Sequence, residues 1–416
     1  MVQGLSAVPR RLLSLSGAAA LLAAVAMGAG ACGPAASSAA SRCDSPGVSR
    51  SEIRLGLIYP DTGPTANGLS AVRAGVDARI GLQNDQGGIH GREVVYEWHD
   101  DKDDPAANST AAKYLIEQRK VFGLLEFSVS ADGSAQYLAD HGIPVGGLGV
   151  GEAWTRNPNM FSYGTSATSG VDLFGGVLRQ LGGTKAVVLS TDVSAGVSKS
   201  ASSYAQSLRA AGIPIVDQIG YTAGANSPAA VAQRINNSGA DTLLLSINAG
   251  DLAPVMAAIR AGAPRVRVVQ SLGGYDHQIL RQTGGAMAGV VIALNFRPFE
   301  AGGPAIDTFR QAMARHVPEV TDPDQQLAMM AYIDTDLYLR GLQIAGTCPT
   351  RAGYISGLRA VTNYDAGGLI APLNIARDLG KQSTCWSFVQ VNPAGNAFNV
   401  LRDSQCGHLL PPDNGG

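Results

Sequence analysis

The chain has 416 residues, a formal net charge of -2 and 15% charged residues. Its length exceeds that of one compact domain, so two lobes are expected. The sparse and balanced charge provides no basic face, and nucleic-acid binding is therefore excluded from the expected functions. The 52 glycines against nine phenylalanines are typical of thin helices that lie close on parallel strands.

The first 31 residues have the features of a secretory signal peptide. Two arginines precede a run over residues 12–31 that consists mostly of Ala, Gly and Leu. A transmembrane anchor is the alternative, but the run is weakly hydrophobic and no charged stop follows it. Residues 29–32, Ala-Gly-Ala-Cys, resemble a bacterial lipobox without its usual first Leu, which implies lipidation of Cys32. Residues 32–47 are small and polar, and they predict a flexible, lipid-anchored linker.

A strand, a helix and a second strand follow in close succession. A strand at 53–59 precedes apolar residues at helical spacing over 69–80. The glycines in the turn at 87–91 allow the chain to leave the helix and reverse, since glycine readily takes positive φ. A strand at 94–98 follows, and Asp104 with Pro105 predicts the start of another helix. This βαβ unit predicts an α/β protein with a doubly wound parallel sheet.

Strands and helices continue to alternate, as a parallel sheet requires. The further predicted strands are 121–126, 143–147, 186–190, 213–216, 243–246, 267–270 and 289–294. The further predicted helices are 106–118, 133–141, 197–211, 228–238, 252–261, 305–316, 326–345 and 351–361. A hairpin of strands 386–391 and 397–401 follows, and residues 409–416 predict a disordered tail.

Besides Cys32, the chain has four cysteines, an even number that predicts two disulfides in an exported protein. Three pairings are possible. Cys385 and Cys406 stand at the two ends of the predicted hairpin, so we expect them to be neighbours and to pair. That choice leaves Cys43 to pair with Cys348. Four free thiols are the alternative, which an oxidising compartment disfavours.

Three motifs near the start of the domain resemble the Leu/Ile/Val-binding family of periplasmic solute receptors. They are Gly63-Pro64 after the first strand, Gly-Gly-Ile-His-Gly-Arg at 87–92 and Asp-Asp-Lys-Asp-Asp-Pro at 100–105. The resemblance runs from about residue 53 to about residue 400. It implies a type I periplasmic-binding-protein fold, in which two doubly wound parallel-sheet lobes are joined by a three-strand hinge.

The same resemblance implies the lobe boundaries. The chain is expected to cross between lobes near Thr165, near Asn295–Phe296 and near Ala371–Asn374. The N-terminal lobe would then comprise residues 48–164 and 297–372, and the C-terminal lobe residues 165–296 and 373–408. Each predicted disulfide lies within one lobe under this scheme, so both leave the lobes free to close.

Motifs of catalysis or cofactor binding are missing from the sequence. There is no phosphate-binding G-x-x-x-x-G-K-[ST] loop and no G-x-S-x-G nucleophile turn. The six histidines show no zinc spacing. The aspartates of 100–104 lack the glycine and the final glutamate of a calcium loop, so a solvated strand end with a helix cap is the preferred interpretation. We therefore expect no enzyme, no metal and no cofactor.

Ligand contacts are implied by matching the family's contact positions to this chain. Loops after three strands of the first lobe and three of the second would supply them, at the carboxyl ends of the strands. The expected ligand-binding residues are Thr62, Gly63, Gly68, Ser128, Val129, Gly149, Gly151, Ala195, Asn248, Leu272 and Tyr275. The hydroxyl of Ser128 would hold a ligand carboxylate; its alternative role is to cap the helix at 133–141.

Several of these positions depart from the family's amino-acid binders. Gly68, Ala195 and Asn248 replace aromatic residues, and Gly151 replaces a threonine, so a wider and less aromatic pocket is expected. Leu272 replaces the acid that pairs with the ligand's ammonium group. Burying an ammonium without a counter-charge costs on the order of 3 to 5 kcal/mol, unless Asp276 supplies the missing carboxylate.

The resemblance thus implies a monomeric substrate-binding lipoprotein of an ABC importer, exported and anchored by lipid to the outer face of the bacterial cell membrane. Its partners would be the permease subunits and a small organic ligand that carries a carboxylate or an amide and an apolar part. A ligand sensor for a signalling partner is one alternative. A hydrolase that uses Ser128 or Ser130 is the other.

Overall fold

The computed structural model describes residues 43–164, 170–191, 195–378 and 381–411, with the backbone alone from 195 to 200. The predicted signal peptide, Cys32 and the linker up to residue 42 lie outside the described residues. So do the crossing at Thr165, the side chain of Ala195 and tail residues 412–416. Among the described residues, no helix combines the length and the apolar character needed to cross a lipid bilayer.

The first sheet has five parallel strands in the order β2-β1-β3-β4-β5. The strands are β1 (Glu52–Tyr59), β2 (Glu93–Asp100), β3 (Leu124–Glu126), β4 (Val145–Gly147) and β5 (Met160–Phe161). The helices between them are α1 (Ala66–Leu69), α2 (Val72–Asp85), α3 (Pro105–Lys113), α4 (Asp132–Asp140) and α5 (Ala153–Arg156). A π-helical turn, Tyr114–Gln118, continues α3.

The second sheet has seven strands in the order β12-β11-β10-β9-β8-β6-β7. Its parallel strands are β6 (Ala186–Ser190), β7 (Ile215–Gly220), β8 (Thr242–Ser246), β9 (Val268–Ser271) and β10 (Val291–Leu294). The helices of this region are α6 (Leu173–Gln180), α7 (Ala195–Ala210), α8 (Pro228–Ser238), α9 (Leu252–Gly262) and α10 (His277–Thr283). Helices α11 (Pro304–His316), α12 (Gln326–Ile344) and α13 (Arg351–Arg359) come next, and the antiparallel hairpin of β11 (Cys385–Val391) and β12 (Phe398–Cys406) ends the sheet.

The predicted fold class is confirmed, because both sheets are parallel in their main part and bury both faces. In the first sheet, Leu57 and Leu125 belong to one apolar cluster while Ile58 and Leu124 belong to another, and all four are fully buried. Side chains of successive strand residues point to opposite faces, so helices must cover the sheet on both sides. Helices α11 and α12 follow β10 in sequence but pack on α2, beside the first sheet. Strands β11 and β12 then belong to the second sheet again.

Four predicted strands, expected from residues 121, 143, 213 and 289, begin two or three residues later, at Leu124, Val145, Ile215 and Val291. Two of these shifts have an identifiable cause. The strand expected from residue 121 begins at Leu124, because the carbonyls of Val121 and Phe122 accept hydrogen bonds from the guanidinium of Arg351, at 2.8 Å each. The strand expected at 213–216 begins at Ile215 and runs to Gly220, since the preceding proline has no N–H to donate. The first shift depends on a partner that lies far away in sequence. The second depends on a backbone position that has no N–H for the neighbouring strand.

Both disulfides have the pairing expected from the sequence. Cys385 and Cys406 face each other across the β11–β12 hairpin, with Cα atoms 3.9 Å apart. Cys43 pairs with Cys348 across 305 positions of sequence and ties the start of the domain to the loop after α12.

Candidate functional site

A cavity of about 650 Å³, which we call the cleft cavity, lies at the carboxyl ends of strands from both sheets. Residues after β1 and β3 and the start of α12 line one side. Residues after β6, β8 and β9, together with α10, line the other side. Parallel strands end at one edge of a sheet, so the loops of two such edges can enclose a ligand between them.

The cleft cavity brings together five of the eleven predicted ligand-binding residues. They are Gly68, Val129, Asn248, Leu272 and Tyr275. Five others are not in its lining: Thr62, Gly63, Ser128, Gly149 and Gly151. The side chain of Ala195 lies outside the described residues.

Apolar atoms form much of the lining surface, and neutral side chains supply nearly all of its polar groups. Six carboxamides take part: Asn67, Asn248, Gln278, Gln282, Gln325 and Gln326. Four hydroxyl side chains accompany them: Thr65, Ser70, Thr191 and Ser246. Asp276 is the one charged side chain among the lining residues that the structure describes, and neither lysine nor arginine occurs there. This part of the wall therefore offers both hydrogen-bond donors and acceptors, but no cation for a ligand carboxylate.

Asp276 caps the helix that borders the cavity. Its Oδ1 accepts a hydrogen bond from the Gln278 backbone N–H at 2.6 Å, at the first turn of α10. Burial raises the pKa of this carboxyl, and the hydrogen bonds from the helix backbone oppose that shift. Asp276 thus stands where the sequence suggested it as a substitute for an acid at Leu272, but part of its hydrogen-bonding capacity serves the helix.

Ser128 is fully buried and bonded within the first sheet's loops. Its hydroxyl donates to the carboxylate of Asp101 and accepts from the Ser130 backbone N–H at 2.9 Å. The alternative role as a helix cap is wrong, because α4 begins after Ala131 and has no side-chain cap. Its proposed role toward a ligand carboxylate would require the hydroxyl to leave Asp101.

Thr62 and Gly63 connect the loop after β1 to the aspartate-rich segment at residues 100–104. Thr62 Oγ1 donates to Asp100 Oδ2 at 2.6 Å. Gly63 has φ +112° and packs so closely that a Cβ there would lie 2.6 Å from the Lys102 carbonyl oxygen. Asp103 accepts from both the N–H and the hydroxyl of Thr65, at 2.6 Å each. The aspartates thereby position Thr65 in the cleft wall, and no group of three potential metal ligands occurs in the described part of the chain.

Gly149 and Gly151 lie beside a smaller cavity of about 120 Å³, the inner chamber. Their neighbours Leu148 and Val150 line it, and five of its nine other side chains are apolar or aromatic. The rest of its lining consists of Gly164, Tyr204, Leu272, Ala293, Asn295, Gln326, Met330, Gln382, Ser383 and Trp386. Because Leu272 and Gln326 line both spaces, the inner chamber adjoins the cleft cavity.

Tyr275 is buried, and its ring is committed to a packed cluster. The ring stacks on Phe299 at 5.1 Å between centroids. Its hydroxyl donates to Glu300 and accepts from the Phe299 backbone N–H at 2.8 Å. What Tyr275 contributes to the cleft is therefore its backbone rather than a free aromatic ring.

Gln326 is a site residue that sequence reasoning missed. Its side-chain Nε2 donates to the Leu272 carbonyl at 3.1 Å, and its Oε1 accepts from the Tyr275 N–H at 3.3 Å. One side chain at the start of α12 thus holds the loop after β9 from across the cleft. A glutamine at the start of a predicted helix has no sequence signal for such a role.

The two doubly wound sheets and the cleft between their strand ends define the type I periplasmic-binding-protein fold. A family model described as periplasmic binding protein matches residues 52–396. The chain therefore belongs to the periplasmic binding protein family, as the sequence motifs indicated.

A curated relative supports the narrower resemblance over part of the chain. Leu/Ile/Val-binding protein homolog 3 of Brucella melitensis is 31% identical over 94 residues, which cover 22% of this chain and 25% of the relative. The match thus spans a quarter of that relative's length.

Solved structures share the fold at low sequence identity. A fatty acid ABC transporter substrate-binding protein from Thermomonospora curvata has a TM-score of 0.74 at 18% identity, over 87% of this chain and 94% of that chain. A solute-binding protein of an R. palustris ABC transporter, in complex with 4-hydroxybenzoate, has a TM-score of 0.72 at 17% identity, over 86% and 97%. The branched-chain amino acid transporter substrate-binding protein LivJ from Streptococcus pneumoniae, in complex with isoleucine, has a TM-score of 0.69 at 15% identity, over 84% of this chain and 99% of that chain.

Proposed function

We propose that the protein is the substrate-binding component of an ABC importer, which closes its two lobes over a small organic ligand in the cleft cavity. The family membership and the ABC-transporter proteins of the same fold support this role. The proposal includes the predicted lobe boundaries, export, a lipid anchor at Cys32, a monomeric state and docking to membrane permease subunits. Ligand binding would favour the closed form through its higher affinity for that form.

The composition of the cleft wall carries the proposal for the ligand. Among the described lining residues, six carboxamides and four hydroxyl side chains accompany a single carboxylate and no cation. Of the two alternatives open from the sequence, an amide-bearing ligand fits this wall better than a carboxylate. A carboxylate would meet Asp276, and the described part of the wall has no cationic side chain to offset the repulsion.

The apolar part of the ligand would enter the inner chamber. That space adjoins the cleft cavity past Leu272 and Gln326, and apolar and aromatic side chains such as Met330 and Trp386 line it. Fully burying an alkyl or aryl group of side-chain size contributes on the order of 2 kcal/mol. We therefore propose an amide or similarly neutral polar head with an apolar tail.

A thermal-shift screen tests this proposal. Protein refolded from denaturant, and so free of carried-over ligand, is expected to gain stability with neutral amides that bear an apolar tail more than with the matching carboxylates. Leucine, isoleucine and valine should bind more weakly than the preferred amide. Submicromolar binding of these amino acids would contradict the argument from Leu272, and failure of a broad panel of small molecules would contradict ligand binding altogether.

Substitution of Gly68 locates the binding site. A Cβ at Gly68 would meet no atom within 4 Å, so Gly68→Trp should fold normally and fill part of the cleft cavity. The expected result is a loss of ligand affinity of about tenfold or more with an unchanged melting temperature of the free protein. Gly176→Trp is the control, because Gly176 also has open space, on α6 away from the cleft. Equal ligand affinity in both variants would place the site elsewhere.

A further inference from the structure

A third cavity, of about 260 Å³, lies where the chain is expected to cross between lobes. We call it the crossover cavity. Phe161–Tyr163, Asn295 and Ile370–Leu373 line it, and these segments adjoin the three predicted crossings. The segment that leads into β11 completes the wall. An occupant of this cavity would therefore touch the chain at each of its three passages between sheets.

Positive charge exceeds negative charge around this cavity. Arg359, Arg377 and Lys381 line it together with a single carboxylate, that of Asp378. Arg377 pairs with Asp378 through two hydrogen bonds of 2.8 and 3.0 Å. Within the described part of the chain, no ion pair joins Arg359 or Lys381 to a carboxylate. The wall thus has three cationic side chains against one carboxylate, which already pairs with Arg377.

Arg359 is held rigidly at the cavity wall. Its Nε donates to the Pro158 carbonyl at 2.8 Å, and its Nη2 donates to the Met160 carbonyl. The guanidinium carbon lies 4.1 Å from the centre of the Phe161 ring. Burial lowers the pKa of Arg359 to about 10, which reflects the cost of a charged guanidinium at this place. An anion beside it would offset that cost.

We propose that the crossover cavity is a second binding site, which takes a small oxyanion such as phosphate or sulfate between Arg359 and Lys381. The planar guanidinium suits an oxyanion because it can donate parallel hydrogen bonds to two oxygens. Arg359 belongs to the predicted N-terminal lobe and Lys381 to the predicted C-terminal lobe. The bound anion therefore bridges the lobes beside their connections and stabilises the arrangement in which both cations line this cavity.

The bridging position also links this site to the cleft. The inner chamber shares Asn295, Gln382 and Ser383 with the crossover cavity, so an occupant of one space borders the other. An anion that holds the lobes together should raise the affinity for the cleft ligand, and the cleft ligand should raise the affinity for the anion by the same factor. This coupling rests on the proposed function, whereas anion binding itself does not.

Calorimetric titration of the ligand-free protein with sodium sulfate and with sodium phosphate tests the site, at an ionic strength held constant with sodium chloride. Saturable binding in the millimolar range or tighter is expected. Lys381→Gln should weaken it by about tenfold, since one hydrogen bond to a charged group is lost. Lys120→Gln is the control, because Lys120 is an exposed lysine outside the cavity and loses the same charge.

Substitution of Arg359 provides an independent test of the anion site. Arg359→Gln should abolish saturable binding, and circular dichroism and the melting temperature will show whether the variant folds despite losing its bonds to the two carbonyls. Should it not fold, the Lys381 and Lys120 variants decide. Absence of saturable binding to either anion, or equal binding by the Lys381→Gln and Lys120→Gln variants, would overturn the site. Because these titrations contain no cleft ligand, their failure is separate from a failure of the proposed function.

Discussion

Glu126 is a carboxyl group buried completely at the end of β3. Its Oε1 accepts a hydrogen bond from the Ser134 hydroxyl at 2.9 Å, while its Oε2 has no partner among the described residues. Burial raises the pKa of Glu126 from 4.5 to about 8, and the neighbouring carboxylates of Asp101 and Asp132 add to that shift. The folded protein therefore keeps Glu126 protonated near neutral pH.

The pH dependence of stability follows from this shift. Above pH 4.5 the unfolded chain ionises Glu126, whereas the folded protein does so only near pH 8. The stability that protonation provides is therefore fully present below pH 4.5 and is lost as the pH rises toward 8. The free energy of unfolding falls by about 1.4 kcal/mol per pH unit, so on the order of 4 kcal/mol of stability is lost between pH 5 and pH 8.

Glu126→Gln removes this dependence while preserving the shape of the side chain. The amide N–H groups of the glutamine lack partners and lower the free energy of unfolding by roughly 1 to 3 kcal/mol. This penalty is the same at every pH, so it does not change the slope of stability against pH. Urea unfolding should be measured at several pH values from 5 to 8. Across that range, the free energy of unfolding of the variant should rise by about 4 kcal/mol relative to that of the parent protein. Glu319→Gln, a substitution at an exposed carboxylate, is the control and should run parallel to the parent. Parallel curves for Glu126→Gln would refute the reasoning.

Two further predictions concern packing and covalent links. Gly75→Ala should cost roughly 1 to 3 kcal/mol of unfolding free energy, because a Cβ there would lie 2.0 Å from the Ala328 carbonyl oxygen and would push α2 away from α12. Gly176→Ala, in open space, is its control, and equal urea midpoints would contradict the close contact. Replacing Cys43 and Cys348 together by serine should lower the unfolding free energy by about 2 to 5 kcal/mol, since this disulfide closes most of the domain. An unchanged urea midpoint would show that the bond does not constrain the unfolded chain.

Local features of the chain predicted the fold well. The glycine turn over 87–91 and the cap at Asp104 both occur where the sequence indicated. The Asp104 side chain accepts from the Ala107 N–H, and glycines 87, 88 and 91 all have positive φ. Such features depend on residues a few positions apart, so the sequence contains the physical cause.

The site was predicted less completely, because side-chain direction depends on distant partners. Ser128 was expected to face the ligand, yet its hydroxyl bonds to Asp101, which follows β2. Tyr275 lines the cleft cavity as expected, but its ring packs on Phe299. Gln326 holds the loop after β9 although 54 positions separate it from Leu272. No spacing rule links these pairs in the sequence.

The sequence by itself determined the fold class of this protein. Alternating strands and helices, the capped turns and the cysteine pair at the hairpin ends require only local periodicity and short-range geometry. Only the tertiary structure decided which loops meet in the cleft cavity and which charges lack partners. The burial of Glu126 and the excess of positive charge at the crossover cavity arise from segments that fold together from distant parts of the chain, and desolvation acts on the assembled structure alone.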